Sequence, residues 1–221
     1  DCGVATKNIT LNSEQIFANF TSNQTGCLQD SVYFNTPTIL GARWNWNFKN
    51  GITLDTNSAI IKPIKFNSVG IYAVELKVIS KNGCISDITT KNIEITPKPI
   101  ASFSTSAITC INKSIDFSDQ SSITSGTLAK NYWNLDNGNG VIVSNSGTTQ
   151  NSTYSNWGNR IPWLVTEASS GCKSDTFKLA SPLFIHSVPK VGFTLPEVCL
   201  NDANAIFTDS TSSADGATNF S

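Results

Sequence analysis

Six cysteines, a single histidine and no methionine are the material from which any chemistry of this 221-residue chain would have to be built. The cysteines fall as Cys27 with Cys84 and Cys110 with Cys172, while Cys2 and Cys199 stand toward the two ends. Within each internal couple the spacing is about 60 residues, and no Cys-x-x-Cys occurs, so neither zinc-ligand nor dithiol redox spacing is present. Disulfides are the expected use of these thiols, which would place the chain outside the cytosol in an oxidising compartment. Buried free thiols are the alternative reading.

Catalysis has little to draw on. His186 allows at most one histidine-based relay, and neither Gly-x-Ser-x-Gly nor His-Glu-x-x-His is present. The acidic residues could in principle supply a carboxylate pair, but small sandwiches seldom build a cleft around one. Asp136-Asn137-Gly138-Asn139-Gly140 has the oxygens and glycines of a calcium loop but lacks the distal bidentate glutamate, and it reads as a turn. No enzyme activity, cofactor or metal is therefore expected. The tryptophans offer one binding feature. Trp46 and Trp133 hold equivalent positions and read as core plugs, whereas Trp44, Trp157 and Trp163 cannot all fill one core position, and an exposed aromatic face can stack on a sugar.

Charged residues make up only 14% of the chain and the net charge is -1, so no basic face is available to a phosphate backbone and nucleic-acid binding is not expected. Apolar residues lie in strand-length runs far short of the roughly 20 residues that span a bilayer.

The elements that would position these residues are strands, arranged in a repeat. Arg43-Trp44-Asn45-Trp46-Asn47-Phe48-Lys49-Asn50-Gly51 alternates aromatic residues with polar ones and runs into Asn-Gly. Tyr132-Trp133-Asn134-Leu135-Asp136-Asn137-Gly138 does the same one domain length later. Each copy reads as a half-buried strand feeding a tight turn. Gly70 to Ile79 alternates strictly, with Tyr72, Val74, Leu76 and Val78 on one face and Glu75 and Lys77 on the other. An edge strand over Ile16-Phe17-Ala18-Asn19-Phe20 and closing strands over residues 88–95 and 177–188 complete the expectation. The second copy lacks the Gly-x-Tyr of the first and inserts a Ser/Asn/Gly/Thr-rich stretch from Gly138 to Asn156.

These motifs resemble tandem PKD-type repeats, immunoglobulin-like β-sandwich modules with a Trp-Asp-Phe-Gly-Asp-Gly signature, a later Gly-x-Tyr-x-Val-x-Leu strand and a Gly-Cys hairpin. Trp46-Asn47-Phe48-Lys49-Asn50-Gly51, Gly70-Ile71-Tyr72-Ala73-Val74-Glu75-Leu76 and Gly83-Cys84 carry the resemblance in the first copy, and Trp133 to Gly138 with Gly171-Cys172 carry it in the second. An ordinary immunoglobulin domain is the rival fold, but its tyrosine two residues before the second cysteine is replaced here by Asn82 and Ser170. The resemblance implies an all-β fold of sandwiches arranged end to end. Equivalent placement in the two copies predicts bridges Cys27–Cys84 and Cys110–Cys172, each contributing about 4 kcal/mol by loop closure. Cys2 and Cys199 are then expected to be unpaired within the chain.

The expected organisation is the last strand of a preceding repeat (1–13), two full repeats (14–98 and 99–189) and the start of another (190–221). Such a chain resembles a segment of a large bacterial surface adhesin, of the gliding-motility kind exported by the type IX route in Bacteroidota. Its role would be to extend and display a binding region at the cell surface. Expected partners are neighbouring repeats, with surface polysaccharide or other surface proteins beyond them, and no membrane contact by this segment. An accessory module of a polysaccharide-degrading enzyme and a self-assembling filament or surface-layer subunit are the alternatives.

Overall fold

The structure, a computed structural model, describes residues 14–107, 109–194, 206 and 208–216. The chain divides into two units, Asp1–Pro97 and Lys98–Ser221. Among the described residues there is no helix, and each unit is a β-sandwich with a core of its own.

Unit 1 contains β1 (Thr21–Ser22), β2 (Thr25–Cys27), β3 (Ser31–Val32), β4 (Phe34–Asn35), β5 (Arg43–Asn47), β6 (Thr53–Thr56), β7 (Ile64–Lys65), β8 (Gly70–Ile79) and β9 (Thr89–Thr96). One layer is a five-stranded sheet in the order β2-β9-β8-β5-β6, and the other is made of the pairs β1-β4 and β3-β7. Among the described strands of unit 1 only β2 runs parallel to its neighbour, β9. Period-two alternation puts Val74, Leu76 and Val78 of β8 and Trp44 and Trp46 of β5 on one face, all 2% exposed or less. Phe20, Val32 and Phe34 come from the facing layer. Phe20 and Phe34 meet the Trp46 ring edge-on at 5.1 and 5.7 Å, a geometry that suits the ring quadrupoles.

Unit 2 repeats the plan with β10 (Phe103–Thr105), β11 (Ile115–Asp119), β12 (Leu128–Asn134), β13 (Val141–Asn145), β14 (Gln150–Ser152), β15 (Gly158–Arg160), β16 (Trp163–Ala168), β17 (Phe177–Lys178) and β18 (Leu183–Ile185). The sheet β13-β12-β16-β17 faces β10-β11-β14, and β15 pairs with β18. Register confirms the equivalence of the copies: Trp46 stands opposite Leu76, and Trp133 opposite Leu164. β19 (Phe193–Thr194) and β20 (Thr208–Asp209) form a separate antiparallel pair.

Three strand expectations change. Residues 16–20 form no strand. Side chains hold that segment instead, with Thr89 Oγ1 donating to the Ala18 carbonyl at 2.7 Å and Lys91 Nζ to that of Phe20. The closing strand of unit 2 is broken into β17 and β18. The polar stretch from Gly138 to Asn156, expected only as an insertion and given no strand, contains β13 and β14.

The cysteine pairing is also corrected. Cys84 and Cys110 are free thiols, whereas Cys27 and Cys172 are each disulfide-bonded, so neither Cys27–Cys84 nor Cys110–Cys172 is formed. The reason is the length of the sandwich. Cys27 lies opposite Thr96, the last residue of β9, while Cys84 lies in the hairpin that leads into the first. Eight strand residues separate those ends by roughly 25 Å, against a Cα separation of at most about 7 Å across a disulfide. In unit 2 Cys110 pairs with His186 beyond β18, and the Cys172 carbonyl accepts from Ala168 N at the far end of β16. Cys2 and Cys199 lie outside the described residues.

Candidate functional site

The signature turns of the two copies share their hydrogen bonds. Asn47 Oδ1 accepts from Lys49 N at 3.0 Å, and Asn134 Oδ1 from Asp136 N at 2.8 Å. Asn50 Oδ1 then accepts from Ile52 N, and Asn137 Oδ1 from Asn139 N. These bonds cap turns in which Lys49 and Asp136 take left-handed backbone angles, with φ of 56° and 54°. Asn supplies the same acceptor oxygen that an Asp would, so amidation leaves the turn intact. The Asp136 carboxylate is occupied as well, accepting from Ile161 N at 2.8 Å. Among the described residues no group of three His, Cys, Asp or Glu side chains is placed to hold a metal ion.

Trp46 and Trp133 lie in the cores, and the indole N–H of each is buried without a hydrogen-bond partner. Trp44, expected to be a candidate for the surface, is buried as well, and its Nε1 donates to Thr36 Oγ1 at 3.2 Å. Trp163 is half-buried. Trp157 is 48% exposed and is the tryptophan that offers a free face.

At the position of Trp44, unit 2 has Asn131, and with it a polar network the sequence did not announce. Asn131 is fully buried; its Nδ2 donates to Asp119 Oδ2 at 2.6 Å and its Oδ1 accepts from Thr166 Oγ1 at 2.9 Å. Thr166 also meets Ser121 Oγ at 2.8 Å, and Asp119 Oδ2 accepts from Gly147 N at 2.8 Å. Burial pushes the Asp119 carboxyl up, but hydrogen bonds from Ser121, Asn131 and Gly147 outweigh it and hold its pKa below the usual carboxylate value. The network thus ties β11 to β12 and β16 with its buried polar atoms satisfied.

The missing Gly-x-Tyr of the second copy has a counterpart in Gly158-Asn159-Arg160. Gly70 and Gly158 both adopt positive φ, 142° and 121°. Tyr72 Oη donates to the Ser68 carbonyl at 2.9 Å, and an Arg160 guanidinium nitrogen to the Asn156 carbonyl at 3.0 Å. Tyr72 packs on Phe66 with ring centroids 4.6 Å apart, and Arg160 lies over Tyr154 at 5.3 Å. A polar recess of about 320 Å³ opens beside this corner, lined by Asp136, Asn137, Tyr154, Asn156 and Arg160. In unit 1 a larger open groove of about 740 Å³ runs between β1 and β9, lined by Thr21, Gln24, Ile71, Lys91 and Glu94.

His186 sits at 3.0 Å from Asp215 Oδ2 through Nδ1, with its ring edge against Phe184 at 4.8 Å. Asp215 also accepts from Ser187 N at 3.1 Å and from the Ser213 hydroxyl. The histidine therefore braces a loop in unit 2.

No protein-family model matches the sequence, and a comparison with curated proteins finds no match. Solved structures similar to the chain include the fibronectin(III)-like modules of Clostridium thermocellum CbhA, at 10% identity and a TM-score of 0.45 over 76% of this chain and 95% of that one. The FN1-FN3 domains of chicken CNTN1 give 11% and 0.41, over 77% of this chain and 67% of that one. A bacterial ice-binding adhesin gives 11% and 0.36, over 86% and 72%.

Proposed function

We propose that the chain is a structural, adhesive-stalk segment of a longer extracellular or cell-surface repeat protein, divided as 1–13, 14–98, 99–189 and 190–221 into PKD-like repeats and parts of repeats. One observation carries the reading: the two units keep the same turns, corner and core plug, but differ at the recesses where a ligand site would be built. A scaffold held constant while its surface drifts suits spacing and display better than one shared activity. Bonded cysteines in a non-catalytic sandwich suit an oxidising, extracellular setting. Within this proposal the surface adhesins of Bacteroidota, including those exported by the type IX route for gliding, are the class the motifs resemble. The chain acts without catalysis or a cofactor.

The experiment is small-angle scattering on the chain. A maximum dimension well beyond that of a globular protein of equal mass is expected, and a compact particle would overturn the stalk. A glycan-binding accessory role is the second reading, favoured by the open groove beside Lys91 and Glu94. It requires saturable binding of a soluble polysaccharide that Ile71→Asp abolishes.

A further inference from the structure

The larger sheets of the two sandwiches end on edges of different character. β6 is the last strand of its sheet in unit 1 and β13 of its sheet in unit 2, each paired on one side. Register makes them equivalent: Leu54 stands opposite Trp46 as Ile142 stands opposite Trp133, so Asp55 and Val143 hold the same place. From that place a row of outward residues crosses each sheet, Asp55–Asn45–Lys77 in unit 1 and Val143–Tyr132–Val165 in unit 2. The first row is polar, and Asp55 is also ion-paired with Arg43. The second is apolar and starts from exposed residues, with Val143 58% and Val141 51% accessible. Charge or proline on an edge strand guards it against pairing with another chain, and β13, Val141-Ile142-Val143-Ser144-Asn145, carries neither.

The unpaired side of β13 presents definite donors and acceptors. Thr166 turns its backbone groups to Ser174, accepting from Ser174 N at 2.9 Å and donating to Ser174 Oγ at 3.0 Å. Asn131, opposite Thr166, therefore points its own N–H and C=O away from β16, to Ser144 of β13. Ser146 N, donating to the Ala129 carbonyl at 3.1 Å, keeps the same phase. By alternation Ile142 and Ser144 bond to β12, while Val141, Val143 and Asn145 direct their backbone groups outward from the sheet edge. The Asn145 carbonyl also accepts from the Thr148 hydroxyl at 2.7 Å. Among the described residues no strand lies beyond β13.

We propose that β13 is the contact through which two copies of this chain associate, edge to edge and antiparallel, about a two-fold axis at Val143. The strand is complementary to itself. On that axis Val143 exchanges both backbone bonds with the same residue of the second copy, and Val141 and Asn145 exchange theirs on either side. The two Val143 side chains then stand opposite each other, and the row from Val165 through Tyr132 continues without a break into the second sheet. Any extended peptide satisfies the backbone bonds, but a second copy also continues this apolar row. The same axis in unit 1 would set two Asp55 carboxylates against each other, which confines the pairing to unit 2. A five-residue edge covers less than the roughly 1,200 Å² of a standard interface, so the dimer is weak and fills as concentration rises toward millimolar. The pairing goes beyond the stalk reading and does not rest on it.

The test is sedimentation of the 221-residue chain over a wide range of concentration, with amide exchange measured at both ends of the range. Cys84 and Cys110 are first blocked with iodoacetamide, so that no disulfide links the copies. A monomer–dimer equilibrium is expected, in which the Val143 amide exchanges more slowly in the dimer while that of Ile142, already bonded to β12, is unchanged. A chain monomeric up to millimolar overturns the proposal and leaves the edge to a foreign strand, and a dimer that leaves Val143 exchange untouched overturns it too. Val143→Asp and Val143→Lys, both at an exposed side chain, should keep the fold in thermal melts and each weaken association more than about tenfold. Mixing the two variants should restore the dimer, because the axis sets residue 143 of one copy against that of the other. Dimers that persist in either variant alone, or a mixture that stays monomeric, overturn the pairing. An extended chain that stays monomeric would leave the stalk standing and defeat this proposal alone.

Discussion

Arg160 does in the second repeat what Tyr72 does in the first: each reaches back to a backbone carbonyl four residues upstream, at 3.0 and 2.9 Å, from a strand that a positive-φ glycine opens. A phenol and a guanidinium share no chemistry beyond an N–H or O–H donor on a long flat side chain. The corner needs no more than that, together with an aromatic ring beneath it, supplied by Phe66 in one case and Tyr154 in the other.

Removing either donor should cost its own unit alone. Tyr72→Phe is expected to lower the stability of unit 1 by about 1 kcal/mol, and Arg160→Met that of unit 2 by about 1–2 kcal/mol. Urea unfolding followed by the tryptophans of each unit checks this, and equal loss in both units would disprove independent corners.

The glycines that open these strands should resist substitution for reasons of backbone alone. A Cβ at Gly70 or Gly158 meets no atom within 4 Å, so space is not the obstacle. Their φ values are, and Gly→Ala at either position is expected to cost about 1–3 kcal/mol in denaturant titrations.

Trp133 should tolerate a ring of similar shape. Its N–H has no partner, so Trp133→Phe gives up packing but no hydrogen bond, and a loss of about 1–2 kcal/mol is expected, against about 3–5 for Trp133→Ala. A phenylalanine variant as damaging as the alanine one in thermal melts would show that the indole nitrogen matters after all.

Asn131→Ala leaves both Asp119 and Thr166 short of a buried partner, and about 2–3 kcal/mol is expected to be lost from unit 2. The same network should respond to acid. The folded pKa of Asp119 lies below its unfolded value near 4, so its contribution is fully present above about pH 4 and disappears as pH falls through the folded value. In Asp119→Asn this part of the acid sensitivity of unit 2 should be absent from pH-dependent melts. An unchanged pH profile would assign the sensitivity to other carboxylates.

His186→Ala should remove the contact with Asp215 and leave the sandwich cores unaltered. No substrate turnover is expected of the chain with or without it, as assays on glycan and peptide substrates would show.

What the sequence determined by itself was local. Alternation along residues 43–47 and 70–79 dictated which faces of β5 and β8 are buried, because a strand has only two faces. The Asn-x-x-Asn-Gly spacing dictated the signature turns, because the caps act within two residues of their own side chains. Alternation puts Trp44 on the same face as Trp46, but nothing local could say that it donates a hydrogen bond to Thr36, or that Asn131 and Asp119 replace that pair in the second copy. Those contacts join strands that are distant in sequence, and a polar pair is stable inside only when both partners arrive together. The cysteines show the same division most clearly. Their positions in the repeat were legible, and suggested bridges within each copy. The choice of partner belonged to tertiary structure, since a strand of eight residues carries the two sulfurs of one repeat to opposite ends of its sandwich, well beyond the reach of a disulfide.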